Sequence, residues 1–392
     1  MKLQLWPCFI WMFFCYSADA ASNSFPMDSL SIKGILGGQT SQKVKGFKQV
    51  LHPRSFKFPQ DHLAHQAYKT EWWYFSGNIN AESLKNNEKP RKFSYQFTLF
   101  RFALHPEKLS TKNSQWRTNN IYMAHVALTD FDNQQFYQQE RFSRDGMALA
   151  GASRNVDGFL QLWLNDWQVK SLLTDQLFPL ELVVNNEQFA LKLQLQATKP
   201  VTLQGKQGLS QKSSKNASYY YSYTRLQSKG NITIGNKTYA VSGDSWLDHE
   251  WSTSSLAEDQ QGWDWLALHL DDGSDLMLYQ MRNKDGLKDT YSSGVLVDSK
   301  GRSEILSAQQ FQLEVSEFWQ SPVSSIRYPI AWVISIPKKD IKLTVVTQMK
   351  QQEWSIAGGF SFNYWEGGIV VSGMKNEQVV SGTGFLEMTG YD

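Results

Sequence analysis

From about residue 68 onward the chain alternates. Phe93, Tyr95, Phe97 and Leu99 are separated by Ser94, Gln96 and Thr98, and Leu191, Leu193 and Leu195 by Lys192 and Gln194. Successive side chains of an extended strand point to opposite faces, so this spacing predicts half-buried antiparallel strands. It recurs at 311–315 and 341–345, and the turn pairs Asp157-Gly158, Asn185-Asn186, Gly235-Asn236, Asp272-Gly273 and Asp285-Gly286 punctuate the runs. Many short strands parted by hairpin signals predict an all-β chain of sandwiches or up-and-down barrels rather than βαβ units. Only residues 255–261 read as a short helix or an acidic loop.

The pattern also divides the chain. Lys2, an apolar run over 3–16 and Ala18-Asp19-Ala20 read as a signal peptide cleaved near Ala20, which predicts a periplasmic or secreted mature protein. Residues 21–67 are polar and irregular, with Gly34, Gly37, Gly38 and Pro53, and read as an N-terminal extension. The body breaks in composition at 204–216, rich in Gln, Lys, Ser and Gly, so one antiparallel barrel is expected over 68–216 and a second over 217–392. Residues 251–261 are the other candidate boundary. Glu71-Trp72-Trp73 in the first half and Glu250-Trp251 in the second suggest duplication.

Composition narrows the classes. In 392 residues there are 15 Trp, 16 Tyr and 23 Phe, an aromatic load that favours strands or a large apolar cavity over a helix bundle. The 39 basic and 37 acidic residues are dispersed, without a basic block to follow a phosphate backbone, so no nucleic-acid partner is expected. Both cysteines, Cys8 and Cys15, fall in the leader; disulfides, thiol catalysis and cysteine-ligated metals are therefore not expected in the mature chain. No later run is long enough for a transmembrane helix.

Two clusters carry candidate chemistry. One holds Asp61, His62, His65, Glu71, Trp72, Trp73 and Tyr74. The other, VSGDSWLDHEW over 241–251, holds Asp244, Trp246, Asp248, His249, Glu250 and Trp251, followed by Trp263 and Trp265. Ionisable groups among indoles are costly to bury without partners. No G-x-S-x-G, H-E-x-x-H or glycine-rich phosphate loop is present. Asp248, His249 and Glu250 are adjacent and alternate faces on a strand, so they do not form one metal site, and none is expected. In a structural reading Asp248 and Glu250 accept hydrogen bonds from indoles or from Arg225 or Arg282. In a catalytic reading an Asp buried among aromatics stays protonated near neutral pH and acts as a general acid, with the rings stabilising a carbocation.

The runs FKFPQDHLAHQAYKTEWWYFSGNI (56–79), YQFTLFRF (95–102), VSGDSWLDHEW, GWDWLALHLDDGSDLMLYQMR (262–282), YWEGGIVVSG (364–373) and GFLEMTGYD (384–392) resemble the AttH-like family, related to carotenoid 1,2-hydratase (hydroxyneurosporene synthase). The resemblance implies two tandem lipocalin-like (calycin) β-barrels. It also implies, for the hydratase branch, cofactor-free addition of water to a terminal carbon–carbon double bond, an Asp delivering the proton. Asp248 matches that acid, with Trp246 and Tyr221 as cation-facing aromatics. Exported members resemble secreted hydrolases that accompany envelope ABC transporters, although no motif here supports hydrolysis.

Three functions follow. An exported carrier would hold an apolar molecule, a lipid or isoprenoid, in a barrel mouth lined by Glu71, Trp72, Trp73, Tyr74, His249, Glu250, Trp251, Trp263, Trp265 and Trp365. A hydratase-like enzyme would use Asp248 with no cofactor. A scaffold would serve an envelope ABC transporter.

Overall fold

The computed structural model describes residues 45–82, 90–107, 114, 116–253, 256–355 and 363–391. The expected leader over 1–20 lies outside them. Among the described residues no helix is long and apolar enough to cross a membrane.

The chain is all-β. The first sheet opens with four long strands, β1 (Thr70–Ala81), β2 (Lys92–Ala103), β3 (Asn120–Asp130) and β4 (Gln135–Arg144). Five shorter ones follow: β5 (Ala150–Arg154), β6 (Leu160–Leu164), β7 (Trp167–Ser171), β8 (Leu180–Asn185) and β9 (Phe189–Ala197). After the short β10 (Thr202–Leu203) and β11 (Leu209–Gln211) comes a long hairpin, β12 (Ala217–Ile234) and β13 (Lys237–Ser252). β13 returns to pair with β1, giving the order β4-β3-β2-β1-β13-β12-β9-β8-β7-β6-β5.

The second sheet repeats this scheme. Its first four strands are β14 (Gln260–Leu270), β15 (Asp275–Asn283), β16 (Ser293–Val297) and β17 (Ser303–Ser307). Then come β18 (Gln312–Gln320), β19 (Arg327–Ile336), β20 (Ile341–Thr347), the short β21 (Glu353–Trp354), β22 (Tyr364–Lys375) and β23 (Gln378–Met388). β23 pairs back onto β14, and the sheet again parts after its fourth strand, between β17 and β18. The result is two lipocalin-like barrels, the first nearly closed and the second a half-barrel.

Three sequence-based expectations change here. The polar stretch 204–216 does not separate the sheets, because β12 and β13 beyond it close the first barrel; the strands change sheet between Ser252 and Gln260, at the other candidate boundary. The two Glu-Trp motifs are not a repeat: Glu71 faces Trp251 and Trp72 faces Glu250 across the β1–β13 ladder. Residues 256–259 form a bridge and a turn, not a helix.

Burial explains where alternation was legible. β9 and β20 have one face in a barrel and one in solvent, and their burial alternates strictly at Leu191, Leu193 and Leu195 and at Ile341, Leu343 and Val345. β1, β14 and the second half of β13, from Ser245 to Ser252, are covered on both faces, so apolar residues occupy both and the period is lost. One face of β1 sends Trp73, Phe75 and Ile79 into the first barrel's core with Phe93, Phe97 and Leu99. The second barrel is filled by Leu266, Trp332, Ile334, Trp365 and Leu386. Between the barrels lies a third cluster, including Tyr74, Tyr220, Trp246, Trp265, Tyr279 and Phe385. The sheets come close at Gly368, where a Cβ would stand 2.7 Å from the Ser94 side chain.

Candidate active site

The main cavity is not in a barrel mouth, as the sequence reading expects, but between the barrels. Side chains occupy the barrel interiors, whereas the facing walls of β1, β2, β12 and β13 on one side and β14, β15, β22 and β23 on the other enclose about 140 Å³. A cavity of roughly 150 Å³ accommodates a benzene ring, so the space fits an isoprenoid-sized apolar group. Trp72, Phe100, Trp263 and Trp265 give it aromatic walls, and Asp248, Glu250, Glu366 and Glu387 its acids.

Asp248 is built into this wall by register. Trp246, Asp248 and Glu250 are two apart on β13 and share the face turned toward the second barrel, while Ser222 of β12 lies opposite Asp248 and Tyr220 opposite Glu250. The Trp246 indole donates to Asp248 Oδ1 at 2.6 Å and the Tyr220 hydroxyl to Oδ2 at 2.6 Å; the Ser222 hydroxyl also donates to Oδ1. Burial pushes this carboxyl up to about 7, against the opposing pull of the three donors. A group titrating there exchanges a proton at neutral pH. Glu250 is anchored differently, by the Ser218 hydroxyl and by Lys212 Nζ at 3.2 Å. Neither arginine proposed as its partner reaches it: Arg225 pairs with Asp275 and Asp244, and Arg282 with Asp264.

The opposite wall carries two more acids. Glu366 of β22 and Glu387 of β23 are cross-strand partners. Burial pushes Glu387 up to about 8 and, with the neighbouring Glu387 carboxyl, holds Glu366 well above the carboxylate range. Tyr74 donates to Glu366 Oε1.

The remaining expected site residues separate by face. Trp72, Tyr74, Glu250, Trp263 and Trp265 line the cavity; Trp246 stands behind Asp248. Tyr221, Glu71, Trp73, His249 and Trp251 point the other way, toward the end of the first barrel, and Trp365 lies in the second barrel's core, its indole donating to the Lys350 carbonyl at 2.7 Å. The tyrosine on the Asp248 face is therefore Tyr220, which with Trp246 donates to the carboxyl, whereas Tyr221, expected to face a cation there, lies on the other face. Sequence reasoning missed Tyr220, Ser222, Glu366 and Glu387. The last two had one available signal, a lone acid next to large apolar residues, Tyr364-Trp365 before Glu366 and Phe385-Leu386 before Glu387.

At the barrel end Glu71 Oε1 accepts from His249 Nε2 at 2.8 Å and His65 Nδ1 at 2.6 Å, while Arg101 Nε donates to Oε2 at 2.8 Å. Against the upward push of burial, Arg101 and His65 hold Glu71 well below the carboxylate range. His249 continues to the Tyr221 hydroxyl at 2.9 Å, which meets His62 Nδ1 at 2.7 Å. Burial lowers His249 to about 4 and His62 to about 3, so both stay neutral. His65, Glu71 and His249 have atoms within 4.8 Å of one another, as metal ligands do. Glu71, however, is already engaged by both imidazoles and a guanidinium, which is the satisfied geometry of a structural network.

Comparison with known proteins agrees with this architecture. No curated protein matches the sequence. Among solved structures, an AttH protein from Nitrosomonas europaea superposes with a TM-score of 0.75 at 28% identity, over 88% of this chain and 99% of that one. Kievitone hydratase from Nectria haematococca shares the fold, with a TM-score of 0.61 at 13% identity over 88% of this chain and 98% of that one. The AttH-like family model matches residues 49–391, nearly all of the described chain. The chain belongs to the AttH-like family.

Proposed function

We propose that the protein binds an apolar, isoprenoid-type molecule between its barrels and adds water to, or removes it from, a carbon–carbon double bond, Asp248 delivering the proton. The observation that carries this reading is Asp248 itself: buried, held by three donors, titrating near neutrality and facing an aromatic cavity. Transfer of its proton to an alkene carbon leaves a cation that the faces of Trp72, Trp263 and Trp265 stabilise. Water then adds to the cation. The reaction needs neither a nucleophile on the protein nor a redox partner. That a hydratase shares the fold supports the reading only at the level of architecture. Export belongs to the same proposal and is supported by the leader-like N-terminal sequence; service to an envelope transporter rests only on the resemblance to exported relatives.

The test is organic extraction of protein purified from its own envelope, followed by incubation with acyclic isoprenoids and mass spectrometry for the gain of one water. The expected result is turnover by the native protein and its loss in Asp248→Asn with binding retained. Binding without turnover in the native protein would replace the enzyme by a carrier.

A further inference from the structure

We infer that Glu366 and Glu387 form a second proton-transfer site on the cavity wall opposite Asp248, connected through Tyr364 and His125 to Glu140. The inference rests on reading the cavity as a hydration site, and deepens it by supplying the partner that takes the proton released by the attacking water.

The geometry is a directed chain. His125 of β3 places Nε2 3.0 Å from Glu140 Oε2 on the edge strand β4 and Nδ1 2.8 Å from the Tyr364 hydroxyl. Burial lowers His125 against the pull of Glu140, so the ring is neutral. A neutral imidazole donates from one nitrogen and accepts at the other. Nε2–H therefore donates to the Glu140 carboxylate, and Nδ1 accepts the Tyr364 O–H. Tyr364 in turn hydrogen-bonds Glu366, a contact that favours the ionised acid when the tyrosine donates; when the hydroxyl hydrogen turns to His125, its oxygen is placed to accept from protonated Glu366. Glu366 abuts Glu387 across the ladder. The contacts run from the cavity wall to β4, with the Tyr364 hydroxyl turning between its two partners.

Burial and neighbouring acids, not the hydrogen-bond donors, make the pair retain a proton. Tyr74 of β1 donates to Glu366 and the Trp263 indole of β14 hydrogen-bonds Glu387, contacts that pull toward the ionised form and are outweighed. From β13, Asp248 and Glu250 add negative charge against Glu387. The basic side chains nearby are engaged elsewhere, Lys212 with Glu250 and Arg282 with Asp264. Two carboxyls in such surroundings do not both ionise.

The steps balance. Asp248 gives its proton to the alkene carbon and becomes a carboxylate; water adds to the cation and gives one proton to ionised Glu387. The pair then passes a proton outward: Glu366 O–H to Tyr364, Tyr364 O–H to His125 Nδ1, and Nε2–H to Glu140, with the imidazole exchanging tautomers, and Glu387 hands the proton taken from water to its cross-strand neighbour Glu366, so the pair returns to its starting state. Solvent takes that proton and returns one to Asp248, so the net change is the addition of one water.

Infrared difference spectroscopy of the substrate-free protein tests the pair without any activity. We expect a protonated-carboxyl band at neutral pH that is lost in part in Glu387→Gln and in Glu366→Gln, and whose exchange on mixing with D2O slows several-fold in Glu140→Gln, a conservative change at the edge strand. If the band is lost as the pH is raised past about 5, where ordinary carboxyls have ionised, or if Glu140→Gln exchanges as fast as the native protein, the inference is wrong. With an isoprenoid that the native protein hydrates, Glu387→Gln should lower kcat about 100-fold and abolish the rising limb of the pH profile, leaving the ligand's Kd unchanged. An unaltered profile in folded Glu387→Gln, with turnover still dependent on Asp248, overturns this inference and leaves the proposed function standing. Absence of turnover with every isoprenoid instead removes the proposed function, while the infrared result alone decides whether the pair holds and moves a proton.

Discussion

Asp248 and His249 are neighbours in sequence that serve different compartments: the carboxyl faces the cavity between the barrels and the imidazole is sealed in the end of the first. The strand separates two titrating systems by the thickness of one backbone. Substitutions on its alternate faces should therefore have separable effects.

Asp248→Asn should make stability less dependent on pH. A carboxyl that titrates at 3.8 when exposed and at about 7 when folded favours the folded state below pH 3.8, and this contribution is lost as pH rises through about 7. The difference is on the order of 4 kcal/mol as an upper value. Thermal melts from pH 5 to about pH 8.5 should show the native Tm falling relative to the variant; parallel curves would mean that Asp248 is ionised throughout.

Tyr220→Phe and Tyr221→Phe should part company. Loss of the Tyr220 hydroxyl removes a donor that favours ionised Asp248, so the acid limb of Asp248 moves to higher pH. Tyr221→Phe breaks the link between His62 and His249 and should leave that limb in place. Titration of Asp248 by NMR in both variants checks the contrast.

Trp251→Ala should cost about 3 to 5 kcal/mol in urea denaturation. The indole is fully buried, stacked 3.8 Å from His65 and packed edge-on to Phe56. Because it faces away from the cavity, affinity for an apolar dye should be unchanged in the folded variant. Loss of dye binding with little loss of stability would place the ligand in the first barrel.

Glu71→Gln should destabilise by about 3 to 5 kcal/mol, since it leaves buried Arg101 without its carboxylate. The carboxyl is held below its exposed value of 4.5; its contribution is present above that pH and lost as pH falls through the depressed folded value. The native protein should therefore lose stability steeply on acidification, and the variant should follow a shallower acid limb. Equal limbs in circular dichroism would show that the network is not what acid breaks.

How much of this was legible follows from what period two can report. It places Trp246, Asp248 and Glu250 on one face, as observed, because that rule is local. It does not find Tyr220. Counting outward from the Gly235-Asn236 turn sets Tyr223 opposite Asp248, but a bulge between Tyr223 and Leu226 shifts the ladder by one, bringing Ser222 opposite Asp248 and Tyr220 onto the same face. Nor could pattern join Glu366 and Glu387 to Asp248, since they meet only where two separate sheets pack. The expected boundary at 204–216 failed for a related reason: polar composition does not report exposure, and this connection packs along β12 with its polar side chains partnered, Gln204 buried against Ser222 and Lys212 paired with Glu250.

The return of each sheet's last strand to its first has a consequence for how the molecule is made. β1 has no partner on its inner edge until β13 is synthesised, Ala81 pairing with Val241 and Thr70 only with Ser252, and β14 waits in the same way for β23. Such distant pairings are closed late, because the entropy of the intervening loop is lost before contacts compensate it. A nascent first barrel has strong local hairpins but an open seam, and the wall carrying Trp72 and Tyr74 has nothing to face until the second sheet forms. The cavity is thus absent from any chain that stops short of β23, whose Glu387 helps to line it, and any activity of the cavity is a report that both halves have folded.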